Sequence, residues 1–465
     1  MMTNTRSLIV VVICTISVLS YNSLQAQEQP VQQEQHSNPL SPTKWDLQAC
    51  IDYALQKNIS IRKNRINALS SLIDVKLAKA ALFPSLSFST SQNMVNRPYQ
   101  ESSSTVSGTE ILKNNSKTSY NGNYGLNASW TLFNGKRLKT IEQQKINSQV
   151  AELDVATSEN DIEQSIAQAY MQILYATESV RVNESTLKVS QAQRDRGKEL
   201  LSAGSIAKSD LAQLESQVSN DRYLLVTAQA TLQDYKLQLK QLLELDGEQE
   251  MQIFIPELDN QNVFIPLPTK SDVFHHALAI RPEIEAGKLN VQVAELNIDI
   301  AKSGYLPTLS LSAGIGTNNT SGNDFTFTEQ LKNGWNNSLG LTLRMPIFDN
   351  RQTKSTIQKA RLQRETNMLA LLDEQKVLYK TIEGLWLDAN NAQQQYAAAS
   401  DKLQSAQTSY DLISEQFDLG MKNTVELLTE KNNLLQAKQE QLQAKYMAIL
   451  NILLLKFYQG DNIAL

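Results

Sequence analysis

Between Lys136 and Arg196 apolar residues recur at steps of three and four: Ile146, Val150 and Leu153, then Ile162, Ile166, Ala169, Ile173, Ala176, Val180 and Leu187. That spacing is the period of an α-helix with a narrow apolar seam and polar flanks. No glycine or proline interrupts these 61 residues, which are rich in Gln, Glu, Lys, Ala and Leu. The pattern predicts one helix running on to about Leu201, roughly 100 Å long at ~1.5 Å per residue. A seam of that length needs partner helices, so the segment is either a coiled-coil spacer or part of the wall of a rod or tube.

Elsewhere the period changes. Leu47, Ile51, Ala54 and Leu55 make a short amphipathic helix, and helical spacing resumes from Ile59 to Leu82 until Phe83-Pro84 stops it. In Tyr120–Leu132 the period becomes two: Tyr120, Gly122, Tyr124, Leu126, Ala128, Trp130 and Leu132 alternate with Asn121, Asn123, Gly125, Asn127, Ser129 and Thr131. Leu339, Leu341, Leu343, Met345 and Ile347 alternate in the same way with Ser338, Gly340, Thr342 and Arg344. Shorter alternating runs begin at Ser85 and Leu309. These four stretches read as strands, and the segments between them (about 101–118 and 317–334), rich in Ser, Thr, Asn and Gly, read as loops. A soluble antiparallel sheet would alternate likewise. Here the polar faces carry mostly small uncharged residues and the apolar faces include Tyr and Trp, which fits membrane strands of about ten residues better.

The whole arrangement occurs twice. An offset of 223 pairs Ala54-Leu55 with Ala277-Leu278, Ile61 with Ile284, Asn67 with Asn290 and Pro84 with Pro307; after a shorter second loop, offsets of 215 and then 216 pair Gly125 with Gly340, Ile166 with Ile382 and Gly204 with Gly420. A period above 200 residues is too long for a solenoid, so each copy is a structural half. In both halves a glycine turn, Ser202-Ala203-Gly204-Ser205 and Asp418-Leu419-Gly420-Met421, divides the long proline-free region into a helical hairpin. The domain map is then 1–26 signal peptide, 27–44 disordered lead-in, 45–245 first repeat, 246–270 linker, 271–458 second repeat and 459–465 tail.

Composition narrows the setting. Met1–Ala26 has one positive charge at Arg6, an apolar run from Leu8 to Leu19 and a polar end, the layout of a secretory signal. Cys14 lies within that run without the small residue that precedes a lipidated cysteine, so the mature chain keeps only Cys50 and no internal disulfide. No later run is long and apolar enough for a membrane helix. A net charge of −5 over 465 residues gives no case for nucleic acid. His275 and His276 are neighbours on a helix and cannot chelate together, His36 falls in the lead-in, and no phosphate loop, triad or metal-ligand cluster appears, so no enzyme, cofactor or metal is expected. A signal, no membrane helix and amphipathic strands point to an outer membrane, where closed barrels are the only strand solution. Four strands cannot close alone; two chains give a filled barrel of eight, and three give twelve, wide enough for a pore.

In order, Trp45-Asp46-Leu47 with Cys50-Ile51 and Ala54-Leu55, Phe83-Pro84-Ser85-Leu86, Arg281-Pro282-Glu283-Ile284, Leu306-Pro307-Thr308-Leu309 and the two glycine turns resemble the TolC family of outer-membrane efflux proteins, over nearly all of the mature length. The resemblance implies a fold of helices with a membrane β-barrel part: duplicated helical hairpins forming an α-barrel across the periplasm, and four strands per chain in a trimeric 12-stranded barrel in outer-membrane lipid. It also implies the function of a duct for a tripartite efflux or type I secretion system, in which the homotrimer meets a periplasmic adaptor (membrane fusion) protein and an inner-membrane pump. The residue-based alternative is a soluble periplasmic coiled-coil scaffold or adaptor, sharing the seam but lacking the paired amphipathic strands.

By the same resemblance the hairpin ends, at Gly204-Ser205 and Gly420-Met421, form the periplasmic mouth and dock the adaptor. An acid six residues after the second glycine lines a constricting ring, which places Glu426 there, with Asp210 as its first-half counterpart. The family's latch uses an arginine, a tyrosine and a second ring acid; Lys422, Phe417 and Thr429 stand at those positions, so a charge remains but the guanidinium fork and the phenol do not. Asp210 and Glu426 are also acids near helix starts, where the helix dipole favours a negative charge in any protein. Lys422 is four residues before Glu426 and has two candidate partners, Glu426 of its own chain or Asp210 of a neighbouring hairpin.

Overall fold

A computed structural model describes residues 44–99, 103–107, 110–114, 117–246, 251–256, 258, 263–321 and 325–464. The expected signal peptide (1–26) and all of the lead-in (27–44) except Lys44 lie outside these residues, as do Cys14 and His36.

Each half is built on one very long helix. In the first, α1 (Leu47–Lys57) and α2 (Ile59–Ala80) precede β1 (Ser85–Asn96), a small hairpin β2 (Ser103–Ser107) and β3 (Glu110–Asn114), and β4 (Thr118–Phe133); α3 (Gly135–Ser202) and α4 (Lys208–Leu242) follow. The second repeats this with α5 (Lys270–Ile280), α6 (Pro282–Lys302), a single 3-10 turn at Ser303–Tyr305, β5 (Thr308–Thr320), α7 (Phe327–Asn333), β6 (Asn336–Arg344), α8 (Gln352–Asp418) and α9 (Thr424–Tyr458). The predicted helix over 136–201 is thus α3, 68 residues long, and α8 matches it at 67. Two stretches expected to be loops are not: β2 and β3 pair within the first, and α7, started by a reciprocal Thr326–Glu329 capping box, occupies part of the second.

The shorter helices of each half meet end to end beside the long one. Asn58, the N-cap of α2, donates from Nδ2 to the carbonyl of Leu242 at the end of α4 (3.0 Å), while its Oδ1 accepts from Ser60 N and Ile61 N. Glu244 takes a left-handed turn (φ 55°) just past α4 and accepts from Ile59 N at 3.2 Å. In the second half the equivalent positions are Arg281, the N-cap of α6, and Gly460 (φ 93°). The Arg281 guanidinium is buried over the rings of Phe457 and Tyr458, 4.6 and 3.9 Å from their centroids.

Burial modifies the seam read from the sequence. Ile166, Ala169, Ile173 and Ala176 are buried as expected, but so are Ala167, Tyr170, Met171 and Leu174, so the middle of α3 is covered on most sides. The reason is that α1, α2, α4, α6 and α9 all pack against α3. Toward the glycine turn the burial narrows to Asn183, Ser190 and Gly197, spaced by seven as in a left-handed coiled coil. A second core joins α5, α6, α8 and α9 through Val273, Ala277, Ile284, Leu378, Ile382, Ala389, Ile452 and Leu455. Cys50 stands at the first-half position of Val273 and, like it, is fully buried, which makes it a packed residue.

Between the halves, the linker is held by side chains of α8 and α9. Gln393 donates to the carbonyls of Val263 and Ile265, Trp386 Nε1 donates to Pro268 O, and Lys445 Nζ donates to Leu258 O. A small separate unit joins Met251–Phe254 to Trp45: Trp45 lies parallel to Ile253, its N–H donating to Gln252 O and its carbonyl accepting from Phe254 N, both at 2.9 Å.

The four long strands form one antiparallel sheet in the order β1-β4-β5-β6, so strands from the two halves pair at its centre and β1 and β6 are its edges. The register aligns like with like. Phe88, Leu126 and Ile315 make one row, and Trp130, Leu311 and Leu341 another; Ser87, Asn127, Gly314 and Ser338 line the opposite face. Phe88, Leu126, Trp130, Ile315, Leu339, Leu341 and Leu343 are all exposed. Neither face has free space at its glycines: a Cβ on Gly314 of the polar face would lie 2.8 Å from Ser338 Oγ, and one on Gly122 of the other face would meet Asn319 Oδ1 and Gln92 Nε2.

Two details of the strand reading need correction. A bulge between Thr131 and Phe133 removes Leu132 from the ladder and sets Phe133 opposite Leu309, because one extra residue reverses the facing of every later position. Strand β6 ends at Arg344, two residues before Pro346, so Met345 and Ile347 are exposed but outside the sheet.

Candidate channel mouth

The two hairpin ends are closed by the same backbone device. Gly204 N donates to Leu201 O and Ser205 N to Leu200 O; 216 residues on, Gly420 N donates to Phe417 O and Met421 N to Gln416 O. These are the paired bonds of a Schellman turn, and they require the left-handed φ values of 73° and 74° found at Gly204 and Gly420. A Cβ at either glycine would meet nothing within 4 Å, so backbone conformation alone selects glycine there.

The two candidate ring acids then begin the returning helices. Asp210 is the third residue of α4 and accepts from Ala207 N at 3.0 Å, a bond that alanine cannot reciprocate through a side chain. Glu426, third in α9, has a full capping box: Asn423 N donates to its Oε2 (3.1 Å), and its own N–H donates to Asn423 Oδ1 (2.9 Å). Lys422 Nζ donates to Glu426 Oε1 at 2.6 Å. Within the single chain Lys422 is thus paired with Glu426. The lysine bond first, and the Asn423 N–H second, hold the Glu426 carboxyl below the usual range.

The remaining sequence-derived positions are not gathered around these acids. Phe417 is buried and supplies the carbonyl bound by Gly420. Thr429 Oγ1 donates back to Val425 O at 2.8 Å. Among the described residues, no hydrogen bond or ion pair links Asp210 to Lys422, Phe417 or Glu426. The tips differ in surface chemistry: Leu419, Met421 and Val425 are exposed on the second, where the first has Ala203, Ser205 and Ser209.

One polar cluster was not anticipated. Lys431 of α9, Asp221 of α4 and Ser190 of α3 are all almost wholly buried; Lys431 Nζ donates to Asp221 Oδ2 and to Ser190 Oγ, and Ser190 Oγ to Asp221 Oδ2. Gln217 adds a bond to Asp221 Oδ1 at 2.9 Å. The signal was present in the spacing: Lys431 falls between Leu427 and Leu434 on the apolar seam of α9, and Asp221 continues the steps Leu214 and Val218 on α4. A charge at a seam position calls for a buried partner.

Comparison with known proteins places this geometry. The family model described as outer membrane efflux protein matches residues 50–244 and 273–456. Outer membrane protein TolC of Escherichia coli (strain K12) is 23% identical over 353 residues, 72% of this chain and 68% of the relative. The cation efflux system protein CusC of the same strain is 22% identical over 402 residues, covering 86% and 83%. Among solved structures, a CusC crystal structure has a TM-score of 0.74 at 19% identity over 89% of this chain and 91% of that one. The outer membrane protein VceC of Vibrio cholerae has 0.72 at 16%, over 90% and 97%. These relatives are channels rather than enzymes, and the soluble-scaffold alternative falls away. The chain belongs to the outer membrane efflux protein family, with that family's fold of periplasmic helical barrel and outer-membrane β-barrel, and is an outer-membrane duct of tripartite efflux.

Proposed function

We propose that three copies of this chain close one duct, each contributing four strands, with β6 of one chain pairing to β1 of the next. The observation that carries this reading is the sheet itself: four strands with two unpaired edges and an apolar face exposed along its length. Twelve strands leave an open lumen where eight would be filled by side chains. The uncharged rows of Ser, Asn, Thr and Gly on the polar face, turned to the lumen, then pass hydrated solutes without holding them, and cargo is chosen by the pump. Relatives named for cation efflux and for pyoverdine export fit a duct of this generic lining.

At the other end the turns around Gly204-Ser205 and Gly420-Met421 dock an adaptor protein, which joins the duct to an inner-membrane pump. The mouth is ringed by three Lys422–Glu426 pairs rather than by bare carboxylates, with Asp210, Phe417 and Thr429 supporting the hairpin ends. Native mass measurement in detergent tests the assembly: a trimer is expected, and a monomer or dimer as the sole stable species overturns it. Capture of an adaptor by the wild-type chain, lost on replacing Met421 by Asp with the trimer intact, tests the docking role.

A further inference from the structure

Four contacts join the hairpin α3–α4 to the hairpin α8–α9 near the turns: Lys431 to Asp221, Lys431 to Ser190, Gln193 Nε2 to Tyr410 Oη (2.9 Å), and Gln217 Nε2 to Asn432 Oδ1 (3.2 Å). They lie at one level, roughly 15 to 20 Å from the glycines at 1.5 Å per helical residue. On the turn side of that level the pattern stops. Among the described residues, no hydrogen bond or ion pair crosses between the hairpins from 197 to 214 or from 414 to 427, and the polar groups there bond within their own hairpin. Away from the turns, the next hydrogen bond, ion pair or ring contact across the hairpins among the described residues is the edge-on ring pair of Tyr175 and Tyr446, with centroids 6.3 Å apart.

The Ser190–Asp221–Lys431 cluster differs from its neighbours in being dry. Burial pushes the Lys431 ammonium down, and the Asp221 carboxylate pulls it back up. A buried ion pair is a poor means of adding stability, since well-packed apolar residues often serve as well or better, whereas separating its partners leaves uncompensated charge in the interior. Its physical effect is to make one relative position of two elements far better than any other. Here those elements are the hairpins of the two halves, whose heptad seams would otherwise admit sliding by a turn.

We propose that Ser190, Asp221 and Lys431 form a clamp that fixes the two hairpins in register and sets the limit of the segment free to move at their ends. The last three or so turns of each hairpin move on the turn side of the clamp, and the helices beyond it do not. The clamp bears on transport through the reading of the turns as the mouth, but its test is independent of adaptor, cargo and oligomer mass.

Hydrogen exchange on the detergent-solubilised full chain tests it. In the wild type, amides in 197–214 and 414–427 should exchange on the order of 100-fold faster than those flanking the clamp at 186–194, 219–227 and 429–437. In the single variant Lys431→Met, which leaves the Asp221 carboxylate buried without its counter-charge, the boundary should recede to the Tyr175–Tyr446 level, with the flanking amides accelerated about 10-fold or more while helices α2 and α6 are unchanged. A wild type without the step, or a Lys431→Met variant that keeps its boundary, overturns the clamp. If that variant does not assemble, Ser190→Ala removes only the hydroxyl bridge and should accelerate the same three flanking segments; acceleration nowhere, or uniformly along both hairpins, overturns the proposal equally.

Discussion

Placing an arginine at successive depths on the exposed face of β5 should produce a graded loss of stability whose profile follows from the strand's length. β5 has 13 residues, Thr308 to Thr320. At about 3.3 Å per residue and a tilt near 45° it rises about 28 Å, close to the ~25 Å apolar band of a membrane barrel. Its midpoint falls at Gly314, so Ile315, in the row with Leu126 and Phe88, lies at the centre of the band, and Leu309 lies near the helical end. Ile315→Arg should therefore cost ~2–4 kcal/mol and Leu309→Arg only ~0–1 kcal/mol, the difference being that between bilayer midplane and interface. Asn127→Arg, on the polar face of the adjoining strand, should cost little. Guanidinium unfolding of protein reconstituted in phosphatidylcholine vesicles, followed by tryptophan fluorescence, measures the series. A cost at Leu309 equal to that at Ile315, or an equal cost at Asn127, would refute the assignment of face and depth.

Two other outcomes follow from the mouth and from the core. The depressed Glu426 carboxyl contributes stability that is present above the unfolded carboxylate range and lost as pH falls through its lower folded value; Lys422→Ala should move that loss to higher pH, read by exchange of tip amides. In planar bilayers the same variant should raise cation selectivity by freeing the carboxylate, and Glu426→Gln should lower selectivity and relieve block by multivalent cations; no change in either variant would leave Glu426 a capping residue alone. Burial pushes the Cys50 thiol up to about 12, so it should resist maleimide at pH 8 in the folded protein and react only after denaturation. Cys50→Val, which copies Val273, should change stability by less than about 1.5 kcal/mol, whereas a larger loss in thermal unfolding would show the two halves to be packed differently at this position.

Legible in the sequence was whatever a local period or a special residue type encodes. The helices α3 and α8 announce themselves through composition and spacing, and the turns at Gly204 and Gly420 through the one residue that takes a left-handed φ without cost. The equivalent left-handed turn at Glu244 was invisible because a glutamate carries no such mark, although Gly460 in the second copy does. The bulge at Leu132 left the alternation of hydrophobic residues looking continuous. Polar composition hid β2, β3 and α7, whose ladder bonds and capping box do not depend on apolar periodicity. The seam positions of Lys431 and Asp221 signalled buried charges but not that they meet: Lys431 and Ser190 are 241 residues apart, and only the packing of α3, α4 and α9 makes them neighbours. At the second hairpin end, the family resemblance singled out Glu426 and Lys422, and their four-residue spacing offered the pair that forms within the chain as one of two alternatives.

The two open edges of the sheet also govern the order of events in biogenesis. A single chain entering lipid would expose the free backbone groups along β1 and β6 to hydrocarbon, where each unsatisfied group costs several kcal/mol. In water it would instead expose the apolar face of Phe88, Leu126, Ile315, Leu341 and Leu343 beside strand edges able to recruit another chain. Neither solvent suits the isolated sheet. Insertion and ring closure must therefore proceed together, with the helices free to fold first in water and the strands completing one another only as they cross.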